Sequence, residues 1–165
     1  LPGFVYSELI SITPINWSDT EESYHGNVND NDMVITKKDL EKKLSHSREG
    51  LVIRTLPNTK EKLTQKYNAS NTAFFTTDAM TFLNDLGVKH LVVDTPSIDR
   101  TNDNGMLGNH HRYFEIKPPF KKTITELAFI PDSLDDGSYF MVIEIPPMQL
   151  DAAPSRPFLF KFEEK

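Results

Sequence analysis

The sequence predicts a mixed α/β domain built on a largely buried sheet, and three observations lead there. Two helix-then-strand units follow one another in the middle of the chain. The second of them ends in the near-continuous apolar run Lys89-His90-Leu91-Val92-Val93-Asp94, as expected of a strand covered on both faces. The last third is rich in strand-forming residues, and 165 residues is about the length of one domain.

Residues 4–12 (Phe-Val-Tyr-Ser-Glu-Leu-Ile-Ser-Ile) form the first predicted strand, dominated by β-branched and aromatic side chains. Residues 16–32 lose apolar periodicity. Asp19, Glu21, Glu22, Asp30 and Asp32 stand there with no Lys or Arg and without EF-hand spacing, which reads as a solvated loop. Thr36 is placed to cap a helix over residues 37–44, with Asp39 three residues on as its capping-box partner. After a short link comes the apolar strand Leu51-Val52-Ile53-Arg54-Thr55, and residues 57–71 then read as irregular or partly helical. In the second unit, Thr76 or Thr77 caps a helix whose Ala79, Phe82, Leu83 and Leu86 recur at i, i+3, i+4 and i+7. Gly87 stops it. The clear strands of the last third are 138–145 and 156–162. In the latter, Phe158, Phe160 and Phe162 share one face, to be buried within the sheet or against another chain.

Composition excludes several classes. With 18 Lys and Arg against 24 Asp and Glu, the net charge is −6, and no basic patch of a nucleic-acid binder is present. No apolar window reaches the roughly 18 residues of a membrane span. There is no Cys, which removes disulfides, thiolate nucleophiles and Cys-based zinc sites, and fits a reducing, cytoplasmic compartment. A hydrophobic share of 38% with 11 Pro residues predicts a lean core and many loops. The start, Leu1-Pro2-Gly3-Phe4, lacks Met, a charged n-region and an apolar h-region, and reads as a processed or truncated piece.

Chemistry is sought where strands run out. Asp94-Thr95-Pro96-Ser97-Ile98-Asp99 follows the second buried strand, where ligands gather in open α/β sheets; the alternative is a turn whose Asp and Ser cap backbone groups. In Asn109-His110-His111-Arg112, adjacent His residues on a strand would point apart, so at most one faces a site, and a His pair in a polar loop is otherwise surface. His25, His46 and His90 are scattered and show no ligand spacing. Glu126 is the only charge in Thr123-Ile124-Thr125-Glu126-Leu127-Ala128-Phe129-Ile130 and needs a partner if buried. Either Thr123 and Glu126 form a capping box opening a short helix, or Glu126 is a metal ligand. No G-x-S-x-G and no phosphate-binding loop occurs. The sequons Asn16-Trp17-Ser18 and Asn68-Ala69-Ser70 are frequent chance patterns.

Several segments together resemble the putative cyclase family, which includes bacterial kynurenine formamidases and isatin hydrolases. They are Ile35-Thr36-Lys37-Lys38-Asp39-Leu40, Gly50-Leu51-Val52-Ile53-Arg54-Thr55, and the run from Leu86-Gly87-Val88 to Thr95-Pro96-Ser97-Ile98-Asp99. His111-Arg112, Glu126-Leu127 and Asp151-Ala152-Ala153-Pro154-Ser155-Arg156 follow in the same order. The resemblance implies a swivelling β/β/α-type mixed sheet with flanking helices. It also implies hydrolysis of amide bonds (formamide or lactam) at a divalent metal centre, Zn2+ or Mn2+, with a place in tryptophan catabolism. The family hallmark H-x-G-T-H-x-D-x-P-x-H, which carries the catalytic His, is absent from these 165 residues, so by this resemblance residues 1–165 are the C-terminal portion of a single cyclase-like domain. The remaining family ligands map onto His111, or His110 if the loop is shifted, and Glu126, with Lys117-Pro118-Pro119-Phe120 as extra loop.

Two functions follow as expectations. The first is a metal-dependent amidohydrolase of arylformamidase type, complete only with upstream residues, acting on a small-molecule amide and assembling as a homo-oligomer. The second is a ligand-binding or oligomerisation relative that kept the fold and lost the metal.

Overall fold

The structure, a computed structural model, describes residues 3–44, 46–68, 72–114 and 122–162. The second sequon and the 117–120 loop fall wholly or partly outside these residues. The elements run β1 (Val5–Ile12), β2 (Ile15–Asn16), β3 (Met33–Ile35), α1 (Lys37–Lys43), β4 (Gly50–Thr55), β5 (Phe74–Phe75) and α2 (Thr77–Asp85). They continue with β6 (His90–Val93), α3 (Gly108–Phe114), β7 (Thr123–Thr125), β8 (Gly137–Glu144) and β9 (Arg156–Lys161). The architecture is mixed α/β, as the sequence predicts: among the described residues, a curled mixed sheet with three flanking α-helices.

The main sheet has the order β7-β6-β4-β1-β8-β9. Strands β1, β4, β6 and β7 are mutually parallel, whereas β8 and β9 join antiparallel beyond β1. A small sheet, β2-β3-β5, lies alongside. All six residues of β4 and all four of β6 are buried, which explains their continuous apolar runs. Alternation within them feeds two cores. Leu51, Ile53, Leu91 and Val93 pack with Leu40, Phe75, Met80, Leu83 and Tyr113 under the helices. Val52 and Val92 pack on the other face with Val5, Leu9, Ile130 and Met141.

The helix signals are local and correct. The Thr36 hydroxyl accepts from Asp39 N at 3.1 Å, and Thr76 rather than Thr77 accepts from Ala79 N at 3.0 Å. Gly87 ends α2 with φ +80°, a conformation that a side chain would strain. Two expectations need correction. The acidic stretch 16–32 is only partly solvated. Asp19, Glu21 and Asp30 are exposed, but Glu22 accepts from Lys37 N at 2.8 Å, Lys38 N at 3.0 Å and Thr76 Oγ1 at 2.6 Å, stapling the starts of α1 and α2 together. A carboxylate suits that place because unpaired N–H groups of a helix start point at it. The capping-box helix at Thr123 does not form. Thr123–Thr125 pairs with β6 instead, and Leu127 N and Ala128 N continue the pairing by donating to Thr95 O and Val93 O.

On β9, Leu159 packs against the second core, while Phe160 and Phe162 remain exposed. Their rings meet Phe4, Tyr6 and Phe140 at centroid distances of 4.4–6.2 Å, an aromatic cluster on the open face of the sheet.

Candidate metal centre

Because β1, β4, β6 and β7 run parallel, their carboxyl ends share one edge of the sheet. The residues singled out in the sequence follow directly from these ends: Asp94 to Asp99 after β6, and Glu126 after β7. Ligand sites collect at such edges.

Asp99 organises this edge. It is fully buried and accepts four hydrogen bonds: from Asn109 N at 2.8 Å, His110 N at 3.1 Å, His110 Nδ1 at 2.7 Å and the Tyr24 hydroxyl at 3.3 Å. Burial alone would raise its pKa, but the His110 side chain and the two backbone N–H groups win and hold the carboxyl below its usual range. The turn expected in Asp94 to Asp99 is present, since Ser97 Oγ accepts from Asp99 N at 3.1 Å.

His110 and His111 lie on helix α3, not on a strand or in a loop. Successive helical residues differ by about 100° in direction, so the pair still divides. His111 is exposed, and its backbone N–H donates to Leu107 O. His110 faces the sheet edge, with Nδ1 on Asp99 and Nε2 at 3.4 Å from Glu126 Oε1. The structure therefore brings together Glu126 and His110, the alternative imidazole, and turns His111 to solvent. Burial would lower the His110 pKa, but the two carboxylates on its ring nitrogens overcome this and push it up to about 9. Glu126 Oε1 also accepts from Ile98 N at 2.9 Å, and among the described hydrogen bonds its Oε2 accepts none.

His25, Asp99 and Asp103 form a second grouping, each offering a ligand atom within 4.8 Å of the others. These atoms already have protein donors. Gly108 N donates to His25 Nε2 at 3.2 Å, and Asp103 accepts from Gly105 N at 2.8 Å and Leu107 N at 2.6 Å. A Cβ on Gly108 would collide with the His25 ring, so only Gly lets imidazole and helix meet there. Sequence reasoning missed His25 and Asp103. Their partners lie far along the chain, and no spacing rule links residue 25 to residue 108.

The donor chemistry at His110 and Glu126 fits a divalent cation. An imidazole whose Nδ1–H is held by a carboxylate presents Nε2 in the tautomer that metal ligands use, and a carboxylate with one unclaimed oxygen stands beside it. Two carboxylates flanking one imidazole call for a positive charge, supplied by a proton or by a metal ion.

The profile of the family described as "Putative cyclase" matches residues 11–100, more than half of the chain. The chain belongs to the putative cyclase family. Solved structures share its fold. One described as a potential metal-dependent hydrolase with cyclase activity superposes with a TM-score of 0.65 at 20% identity, covering 98% of this chain and 67% of its own. A predicted metal-dependent hydrolase from Bacillus stearothermophilus gives 0.63 at 20% identity, covering 94% and 62%. Isatin hydrolase A from Labrenzia aggregata, bound to benzyl benzoate, gives 0.56 at 11% identity, covering 95% and 59%. The cyclase-family chain thus spans about three fifths to two thirds of the length of these relatives in fold. No curated protein matches its sequence. Among the described residues, no helix is long and apolar enough to cross a membrane.

Proposed function

We propose that this cyclase-family chain forms part of a metal-dependent hydrolase of amide bonds, formamide or lactam, of the kynurenine formamidase type. The observation that carries the reading is the Asp99–His110–Glu126 arrangement at the carboxyl edge of the parallel strands. Glu126 and His110 would hold the ion, Zn2+ or Mn2+. The chemistry such an ion supplies when bound is polarisation of the scissile carbonyl and acidification of water.

The protein's own groups do the positioning. Asp99 holds the Nδ1–H of His110, and the Nε2 proton facing Glu126 is the one a cation would displace, which would free Nε2 as a ligand. The Ile98 N–H fixes Glu126 through Oε1 and leaves Oε2 for the cation. Glu126 stands beside the end of β6 because Leu127 N is bonded to Thr95 O at 2.9 Å. The remaining ligands and the proton-relaying His come, in this reading, from residues upstream of Leu1, and a homo-oligomer in the cytoplasm completes the proposal.

The test is metal analysis of the full-length protein together with hydrolysis of an N-formyl arylamine and of isatin. Zinc or manganese near stoichiometry with turnover of either compound supports the reading. A protein that takes up neither metal and turns over neither compound would overturn it.

A further inference from the structure

The antiparallel half of the main sheet carries a face that the helices leave bare. Alternation puts Tyr6 on the same side of β1 as Ile10 and Ile12, which pack under the helices, yet no described residue of β8 or β9 belongs to that helix-covered core. Where the helices stop, Tyr6, Phe140 and Phe160 stand side by side across β1, β8 and β9. Phe4 and Phe162 flank this row. The Phe4 ring centroid lies 6.2 Å from those of Phe140 and Phe160, and that of Phe162 lies 4.4 Å from Phe140. All five rings are between 39% and 67% exposed. An aromatic side chain has roughly 150–250 Å² to bury, so about 500 Å² of ring surface meets solvent in one patch. That is near the upper end of the roughly 300–600 Å² that a monomer leaves uncovered in its largest apolar patch.

Charge narrows what can cover it. Arg48 pairs with Glu8 at 3.3 Å and lies 5.1 Å from the Tyr6 ring, and Arg156 stands opposite Glu144 in the β8–β9 register. These rim charges balance, on a chain whose net charge is −6. An anionic lipid surface or a strongly charged peptide therefore meets no opposing excess here. A second copy of the chain meets a face free of the repulsion that its net charge brings elsewhere. The area agrees, because a standard interface takes about 800 Å² from each partner and the rings alone provide about three fifths of it.

We propose that this aromatic face is where two copies of the chain meet across a two-fold axis, with Tyr6, Phe140 and Phe160 at the centre of the contact. In a two-fold contact the same patch serves both partners, so ring meets ring. The bare half of the sheet thereby gains the covering layer that the helices give the other half. The proposal rests on the hydrolase reading only for the expectation of a homo-oligomer; the choice of face rests on the rings. The row lies near the start of β1, whereas Glu126 and His110 stand at the carboxyl edge, so the contact leaves the metal centre open.

The test is sedimentation velocity on the full-length protein, with metal content and turnover measured on the same sample. The wild type should sediment as a dimer or a multiple of one, with Kd below about 10 µM. That Kd should change less than about threefold between low and high salt, because no charge pairing holds the contact. Each substitution enters a two-fold contact twice, so Phe140→Lys and Phe160→Ser should each raise Kd at least about a hundredfold, while Phe160→Tyr keeps it within about threefold. Thermal melts establish that the variants fold, and Phe160→Ser on the outer strand decides alone if Phe140→Lys does not. A monomer at about 100 µM overturns the proposal, whether its rings are covered by its own chain or bind phosphatidylcholine vesicles. A dimer that the folded variants leave intact overturns it equally. A monomer with metal and turnover would remove this interface and keep the hydrolase reading. A dimer broken by the variants, in a protein with neither metal nor turnover, would sink that reading and leave the interface standing.

Discussion

Replacing Asp99 by Asn gives the sharpest test of how the edge is built. The carboxylate now accepts four hydrogen bonds, three of them from N–H groups of Asn109 and His110. An Asn keeps one carbonyl oxygen and presents an NH2 group where the other oxygen stood. Turned toward Asn109, the oxygen satisfies that N–H, but the NH2 then faces the backbone N–H and Nδ1–H of His110. Turned toward His110, it leaves the Asn109 N–H facing the NH2. Either way, at least one buried backbone donor loses its partner, at about 1–3 kcal/mol, and charge-assisted bonds become neutral ones. The expected loss is about 3 kcal/mol, which for a chain of this length lowers Tm by roughly 6–12 °C. In the first orientation the ring must also accept at Nδ1 and carry its proton on Nε2, which 15N chemical shifts of the His110 ring report directly. Paired melts and ring 15N spectra of the two proteins are the assay. A Tm lowered by less than about 2 °C with unchanged ring shifts would show that Asp99 neither starts α3 nor sets the tautomer.

Four further outcomes are expected. Glu126→Gln should keep the fold, since Gln retains an oxygen for Ile98 N, and loss of the partly exposed ion pair with His110 should change stability by no more than about 1 kcal/mol; metal content and turnover of the full-length protein should fall nearly to nothing, and unchanged metal stoichiometry refutes the ligand role. Arg54, whose guanidinium donates to Ser11 Oγ, Pro131 O, Leu134 O and Asp136, clamps residues 131–136 onto β1 and β4. Arg54→Met orphans the Leu134 carbonyl, takes one of two donors from Pro131 O and leaves Asp136 without its guanidinium, and should cost about 3 kcal/mol by denaturant titration; a loss under about 1 kcal/mol argues against the clamp. Buried His90 has its pKa lowered by burial, so the unfolded chain takes up the proton first. Its share of stability is whole above pH about 6.5 and is lost as pH falls through the lower folded value, so His90→Gln should flatten that acid limb and an unaltered limb would count against it. Gly108→Ala should displace His25 and perturb the NMR signals of α3, and a spectrum unchanged beyond residue 108 itself would contradict the packing.

Local chemistry was legible in the sequence and long-range pairing was not. The caps at Thr36 and Thr76, the stop at Gly87 and the doubly buried strands β4 and β6 each follow from residues within a few positions of one another. The division of His110 from His111 was also foreseen, although the reason given was a strand and the structure supplies a helix. The role of Glu22 could not be read, because its three donors lie 15, 16 and 54 residues away. The same holds for Asp32, which pairs with Arg100 at 2.7 Å across 68 residues. The Thr123–Glu126 pattern misled for a different reason. Its local capping preference is worth about 1 kcal/mol, and pairing with β6 outweighs it.

The geometry of the main sheet accounts for where the chemistry sits. In its antiparallel part, β1, β8 and β9 alternate direction, so their carboxyl ends lie at opposite edges and no loops converge. In its parallel part every strand delivers its outgoing loop to one edge, and there stand Thr55, Asp94, Asp99 and Glu126. Charges gathered so closely have to be paired or they would destabilise the fold. Asp94 takes Lys62, and Asp99 takes His110 with the start of α3. Among the described residues, Glu126 is served only by one backbone N–H and the far nitrogen of that same imidazole. It is thus the least satisfied carboxylate on the edge, and so the position where an added cation would be most strongly held.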